Sequence, residues 1–514
     1  MQKHSLIAVA VALFAAGCTM APKYHRPEPP VTSTFPTGGV YDTQPGATQP
    51  GQKPGATGTA RSANGQAAAD IGWCDFFVDP RMQRLIDIAL KNNRDLRVSV
   101  LNMQASQAQF RIVRAGLMPT LDAVASQSKQ RTPKDLSFFN QTISNTYSVG
   151  LNVSWEIDFF GRIQSLKDQA LAQYLATAQA RKAAEIALVS QVANQYLTVL
   201  ELDDLLTVTQ NTLKTSQESY RIAKLQFDNG TVSELDLRQS QTVVEQVGAN
   251  LQAQERLRSQ AENALVLLLG EPLPGDLPPG LTLSDQTLLT DIPAGLPSDL
   301  LTRRPDIMEA EENLLAANAN IGVARAAFFP KISLTGSFGT LSPSLGGLFK
   351  PGSAAWSFGP SITLPIFEGG QNIANLDLAH IQKNVQIATY EKAIQAAFRE
   401  VADGLAARGT YDQQIQALER NTFAEQRRLD LSNLRYTNGV DSYLSVLTAQ
   451  TDLYTSQQLL ITARMERLQN LVTLYQALGG GWIEHNGDQP RPADAPVDYG
   501  AASTPVAASA ATAG

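Results

Sequence analysis

The chain carries the same message twice. Residues 227–235 read FDNGTVSEL and residues 436–444 read YTNGVDSYL, so Asn229-Gly230 and Asn438-Gly439 lie 209 positions apart. Arg114 to Pro119 (RAGLMP) returns as Arg325 to Pro330 (RAAFFP), offset by 211, and Leu269-Gly270 returns as Leu478-Gly479, offset by 209. A near-constant offset across so much chain marks an internal duplication. Copies of about 200 residues are too long for stacked solenoid repeats, which run at periods of about 20–50, so they are two pseudo-symmetric halves of one body.

Each half presents the same signals in the same order. Helical segments over about 79–117 and 298–328 end just before Pro119 and Pro330, because proline cannot continue a helix. Strands are predicted over about 119–131 and 144–158, then 330–341 and 354–367. In one, Tyr147, Val149, Leu151, Val153 and Trp155 alternate with Ser148, Gly150, Asn152, Ser154 and Glu156. In another, Trp356, Phe358, Ile362 and Leu364 alternate with Ser357, Gly359, Ser361 and Thr363. Period two with one apolar face and one face of small polar residues is a half-buried strand. Long helices over about 162–228 and 370–438 follow, each ending in the Asn-Gly turn, and return helices run about 231–269 and 440–478. At 1.5 Å per residue the longer type reaches on the order of 100 Å. Val192, Val199, Leu206, Leu213, Tyr220 and Phe227 repeat every seven residues, the seam of a coiled coil.

Four strands are too few to close a barrel, and the smallest membrane barrels use about eight. Strands of this length with Trp and Tyr near their ends fit an outer membrane span. Two chains would give a filled eight-stranded barrel, and three a twelve-stranded barrel with room for a pore. The fold expected is therefore an α+β membrane protein: a trimeric, twelve-stranded β-barrel, four strands per chain, continued by a long α-helical coiled-coil tunnel. The remaining composition narrows the function. A net charge of −7 without a basic block argues against nucleic acid. Four scattered histidines and two cysteines offer no metal-ligand spacing, and there is no phosphate loop or nucleophile elbow. No enzyme, no cofactor and no metal site are expected.

At the N-terminus, Lys3 and His4 precede the apolar run Leu6 to Ala16, too short for a membrane span, then Gly17 and Cys18. This resembles a bacterial lipoprotein signal, with cleavage after Gly17 and a covalent lipid on Cys18. Thr19 rather than Asp follows, which by analogy with enteric lipoproteins directs the product to the outer membrane. Residues 18–71 read as an extended, lipid-anchored tether rich in Pro, Gly, Ala and Thr, and residues 485–514 as a flexible tail. The two repeats occupy 72–284 and 285–484.

Several segments carry a specific resemblance. Trp73-Cys74-Asp75-Phe76-Phe77, Asp79 to Ile86, Asn92 to Arg97, Trp155 to Arg162, Arg303 to Ile307 and Arg435 to Val440 resemble the TolC-like outer membrane efflux proteins, closest to their OprM-like lipoprotein branch, over essentially 72–482. The resemblance implies a homotrimeric exit duct, embedded in outer membrane lipid, for a tripartite pump. Its implied partners are a periplasmic membrane fusion (adaptor) protein and an inner membrane RND-type transporter, and its cargo small hydrophobic or amphipathic compounds. It also implies that Asn229, Gly230, Thr231, Asn438, Gly439 and Val440 form adaptor-docking tips, and that Tyr436, Asp441, Leu444 and Thr448 lie at an iris-like periplasmic gate. Thr448 and Thr451 stand where the family often has Asp and Arg, so closure is expected to rest mainly on an apolar ring at Leu444. Asp236, Asp441 and Asp452 are the nearby acidic candidates. Metal-ion or type I protein export, and a non-conducting lipid-anchored scaffold, stay open as alternatives. Cys74 is expected to be a free thiol without a catalytic role.

Overall fold

A computed structural model describes residues 19–41, 67–133, 143–286, 288 and 297–488. In chain order its main elements are α1 (Trp73–Phe76), α2 (Pro80–Asn92), α3 (Arg94–Ala115), β1 (Thr120–Arg131), β2 (Ile143–Ile157), α4 (Arg162–Asp228) and α5 (Glu234–Leu269). The second half supplies α6 (Pro297–Arg303), α7 (Pro305–Ala326), β3 (Lys331–Ser342), β4 (Ala354–Thr363), α8 (Gln371–Thr437) and α9 (Tyr443–Ala477). The duplication is exact in one dimension: α4 and α8 are both 67 residues long, about 100 Å each.

The four strands form one antiparallel sheet in the order β1-β2-β3-β4. Its register sorts side chains by face. Leu121, Val153, Gly336 and Phe358 stand abreast, as do Ala123, Leu151, Phe338 and Trp356. On the other face Asp122, Asn152, Ser337 and Ser357 form one row, and Thr120, Ser154, Thr335 and Gly359 another. Hydroxyl pairs at 2.7 Å, Ser126 with Ser148 and Ser337 with Ser357, tie neighbouring strands on that polar face. Trp356 is 78% exposed and Phe358 65%, an apolar surface with no protein over it. Gly150 faces Gly339 at the seam between the two halves. A Cβ on Gly339 would sit 2.3 Å from the Val149 carbonyl oxygen, so the close approach of β2 and β3 requires glycine.

The expected strand over 354–367 ends early, at Thr363, because Pro365 has no N–H to donate to a ladder. The expected single helices before each strand pair are broken. Asn93 separates α2 from α3, its Oδ1 accepting from the Leu96 N–H at 2.9 Å and its Nδ2 donating to the Leu268 carbonyl at 2.8 Å. Arg304 separates α6 from α7, gripping Asp306, Glu400 and the Ala477 carbonyl. Both breaks occur where the helices meet the middle of the molecule, so each half bends around the same core. At the sheet end, Gly161 (φ 67°) and Gly370 (φ 89°) turn the chain into α4 and α8.

The predicted seam of α4 is only partly the real one. Val192 and Val199 are buried, but Leu206, Leu213 and Tyr220 are half-buried and Phe227 is exposed. Towards the turn the buried heptad is instead Leu202, Thr209, Ser216 and Ala223, and in α5 it is Ser240, Val247, Gln254 and Ala261. Small side chains allow the helices to approach closely. Two of their hydroxyls are paired across the interface: Thr209 shares a hydrogen bond with Tyr454 (2.9 Å), and Gln450 donates to Ser216 (2.9 Å).

The main core lies part-way along α4 and α8, where α2 packs on α4 and α5 and α1 on α9. Phe76 stacks on Tyr475 at 4.1 Å, and the Tyr475 hydroxyl donates to the Ile71 carbonyl at 2.6 Å. Phe76 and Phe77 are fully buried, each contributing about 2 kcal/mol through apolar burial. Asp79, 1% exposed, is the polar centre of this core. Its carboxylate accepts from the Arg81 N–H (2.8 Å), Tyr196 (3.2 Å), the Leu281 N–H (3.1 Å) and Gln286 (2.5 Å).

The N-terminal segment differs from a free tether. Its extended backbone is laid along α7 and α8. Arg26 forms a two-pronged ion pair with Glu311 (2.7 Å each), Tyr24 donates to the same carboxylate, and Asn318 donates to the Pro22 carbonyl at 2.8 Å. Phe35 stacks on Phe398 at 5.1 Å. Gly322 has no Cβ because one would lie 2.8 Å from the Ala21 nitrogen. Likewise the tail begins later than expected, since Asn486 accepts from the Gly72 N–H (2.8 Å) and donates its own N–H to Asp75 (2.7 Å). Residues 42–66 and 489–514 lie outside the described residues.

Asp79→Ala would leave several donors without an acceptor in the core. It is expected to cost about 3 kcal/mol, with Asp79→Asn milder, read as a lowered thermal midpoint of the purified protein in detergent. An unchanged midpoint would remove Asp79 from its central role.

Candidate functional site

The two Asn-Gly turns are built identically. Gly230 and Gly439 both adopt φ 71°, left-handed backbone that favours glycine. The Gly230 N–H donates to Phe227 and the Thr231 N–H to Gln226 (2.8 and 2.9 Å); the Gly439 N–H donates to Tyr436 and the Val440 N–H to Arg435 (2.9 Å each). Asn229 and Asn438 each fold their side-chain amide back onto the carbonyl four residues earlier, at 2.6 Å. These crossed hydrogen bonds close off helix ends that would otherwise leave carbonyls unpaired. Asn229, Gly230, Thr231, Asn438, Gly439 and Val440 are all exposed and occupy the outermost turn of each hairpin.

The return helices start differently. Ser233 and Asp236 form a capping box. Ser442 stands at the equivalent place without a side-chain cap, and Asp441 does not cap α9 either. Asp441 instead accepts two hydrogen bonds from Arg435 (2.6 and 2.9 Å), which hold its carboxyl below the ordinary Asp range. Asp452 is likewise paired with Arg428 at 2.8 Å. The three acidic candidates are thus all engaged within the chain.

Tyr436 joins the two hairpins. Its hydroxyl donates to Gln226 at 3.1 Å and its ring lies 5.2 Å from that of Tyr443. Tyr443, Val446 and Leu447 are buried and form a small apolar cluster with Val243, Leu429 and Tyr436. Leu444, one position along, points away from that cluster and is 51% exposed. Thr448, Thr451, Thr455 and Leu459 continue its face along α9, and all are exposed. The three threonine hydroxyls donate to carbonyls four residues earlier, each at 2.9 Å. A stripe of this composition carries no charge, and its hydroxyl protons are spent on the backbone.

Sequence pattern does not mark Gln226, Thr209 or Ser216, and it gives Arg435 no partner. Their partners lie about 200 residues away or across a turn. The same holds at the core. The pairing of Trp73 and Cys74 N–H groups with the Ile483 and Glu484 carbonyls (2.9 and 3.0 Å) brings the Cys74 thiol beside Glu484 and His485. Burial, then the neighbouring carboxylates of Glu484 and Asp75, push the thiol up to about 12. Cys18 lies outside the described residues, but Thr19, next to it, reaches Ser165 at 3.3 Å, one turn below the sheet. No helix among the described residues is long and apolar enough to cross a membrane.

The model of the outer membrane efflux protein family matches residues 85–271 and 296–480, once for each half. The chain belongs to this family. It is 46% identical over 486 residues to the antibiotic efflux pump outer membrane protein ArpC of Pseudomonas putida, and equally to the toluene efflux pump outer membrane protein TtgC of the same species; each match covers 94% of this chain and 97% of the relative. The open state of the MtrE outer membrane channel of Neisseria gonorrhoeae superposes with a TM-score of 0.79 at 40% identity, covering 92% of this chain and all of MtrE. The chain is therefore an outer membrane efflux duct subunit, its sheet a segment of membrane barrel and its hairpins the wall of a periplasmic helical tunnel.

Proposed function

We propose that three copies of this chain close a twelve-stranded barrel that passively releases small hydrophobic and amphipathic compounds, antibiotics and aromatic solvents among them, from a tripartite pump. The observation that carries this reading is the four-stranded sheet itself, with one face of Trp, Phe, Leu and Val, one of Ser, Thr and Asn, and open edges at β1 and β4. An open edge is intolerable in hydrocarbon, so β4 of one chain must pair with β1 of the next. The names of ArpC and TtgC support the cargo class. The exposed tips at Asn229–Thr231 and Asn438–Val440 dock the periplasmic adaptor, which links the duct to an inner membrane RND-type transporter. The duct itself performs no chemistry.

In this reading Leu444 closes the lumen, with Thr448 behind it adding no charge, and Tyr436 and the Arg435–Asp441 pair bracing the closed hairpins. Cys18 carries lipid, a reading supported by the signal-like run that precedes it and by Thr19, which reaches Ser165 in the first turn of α4.

Cells lacking this chain are expected to become sensitive to several unrelated organic antibiotics and to toluene, and complementation to restore tolerance. Sensitivity to transition metals alone would overturn the cargo assignment. Leu444→Ala is expected to raise single-channel conductance in planar bilayers several-fold, and unchanged conductance would exclude Leu444 as the gate. Intact-mass measurement should find acyl chains on a mature N-terminus at Cys18, absent in Cys18→Ala; an unmodified mature chain would dismiss the anchor.

A further inference from the structure

Outside the duct, one group of side chains gathers three different metal-ligand types. The Cys74 Sγ, a Glu484 carboxylate oxygen and a His485 ring nitrogen all lie within 4.8 Å of one another, the one such group among the described residues. The residues come from opposite ends of the folded body, some 410 positions apart, yet they are held by backbone. The Trp73 and Cys74 N–H groups donate to the carbonyls of Ile483 and Glu484. Gly72 fits under this segment only because it lacks a Cβ, which would lie 2.5 Å from the Glu484 carbonyl oxygen and 2.6 Å from His485 Cα. Asp75 accepts the Asn486 N–H (2.7 Å) and Asp488 the His485 N–H (2.8 Å), so the ligand-bearing segment is pinned on both sides of His485.

We propose that Cys74, Glu484 and His485 bind a zinc ion that clasps the start of the body to its end. Ligands of a tetrahedral zinc site stand about 3.5 Å apart, given bonds of 2.0–2.3 Å. Glu484 and His485 are exposed, and metal binding would draw their ligand atoms in from within 4.8 Å of one another to that spacing. One thiolate, one imidazole and one carboxylate is a zinc set: copper(I) prefers sulfur throughout, and magnesium and calcium prefer oxygen. On binding, the thiol proton leaves to solvent and a sulfur–metal bond forms in its place. Three protein ligands leave a fourth position for water. Asp75 and Asp488, which accept from the Asn486 and His485 N–H groups, add negative charge beside the group and favour a cation. Cys74 lies in α1 two residues before Phe76, whose ring stacks on Tyr475, so metal would reinforce the junction between the start and the end of the body. The inference stands independently of the cargo of the duct.

The test uses the full-length protein purified in detergent, stripped with chelator and freed of any affinity tag. Cobalt(II) is expected to produce a sulfur-to-metal charge-transfer band at one equivalent per chain, displaced by zinc and absent in Cys74→Ser. His485→Gln, at an exposed position where folding is not at stake, should weaken zinc at least ~10-fold in competition with a chromogenic chelator. Zinc should also slow maleimide labelling of Cys74 several-fold, and EDTA should restore it. A missing thiolate band, or zinc affinity unchanged in both variants, overturns the site.

Discussion

Hydrocarbon leaves no water for a backbone N–H or C=O, and the need for several chains to share one barrel follows from that restriction. Four strands satisfy one another at three interfaces and leave the outer edges of β1 and β4 open. The chain therefore cannot span a membrane alone. Sharing one barrel among several chains satisfies the edges and opens a lumen, because each chain presents a hydroxyl-bearing face on the side opposite Trp356 and Phe358. The seam between the duplicated halves, at Gly150 and Gly339, gives one packing solution to this problem: two strand pairs from two gene copies approach closely enough to form a continuous ladder.

Below the sheet the constraint changes from hydrogen bonding to packing. Helices of about 100 Å have too little apolar surface per turn to form a globular core along their whole length. The molecule concentrates its large side chains where α1, α2 and α7 wrap the long helices, and uses small residues elsewhere. Phe76, Phe77, Tyr390 and Tyr475 fill the middle. Thr209, Ser216 and Ala223 line the lower seam, where hydrogen bonds such as Gln450 to Ser216 replace interdigitated leucines. The tips add two further polar links, Tyr436 to Gln226 and Arg435 to Asp441.

Much of this was legible in the sequence because it rests on periodicity and punctuation. Alternation of Trp356 and Phe358 with Ser357 and Gly359 identified strand faces, and Asn-Gly marked both turns, since a left-handed residue is required there and glycine supplies it. The resemblance placed the candidate gate. The heptad through Leu206, Leu213 and Tyr220 misled, because apolar spacing reveals a helix's hydrophobic stripe and not which neighbours cover it; the seam towards the tip runs through residues too small and polar to stand out. The breaks at Asn93 and Arg304 were hidden for a similar reason: their partners, Leu268, Glu400 and Ala477, are remote in sequence.

By itself, then, the sequence determined the duplication, through a near-constant offset along the chain, and the two-faced strands, the lengths of the helices and the chemistry of the turns, through local periodicity and punctuation. Only the tertiary structure decided that Asp79 gathers donors from Arg81, Tyr196, Leu281 and Gln286, and that Asp441 answers to Arg435 instead of capping its helix. It also decided that residues 19–41 lie packed along α7 and α8, and that Cys74 meets Glu484 and His485. Apart from the Arg435–Asp441 pair and the Arg81 N–H, these depend on which distant segments the fold brings within about 3–5 Å, the range over which hydrogen bonds, ion pairs and metal ligands act, and local pattern carries no record of that proximity.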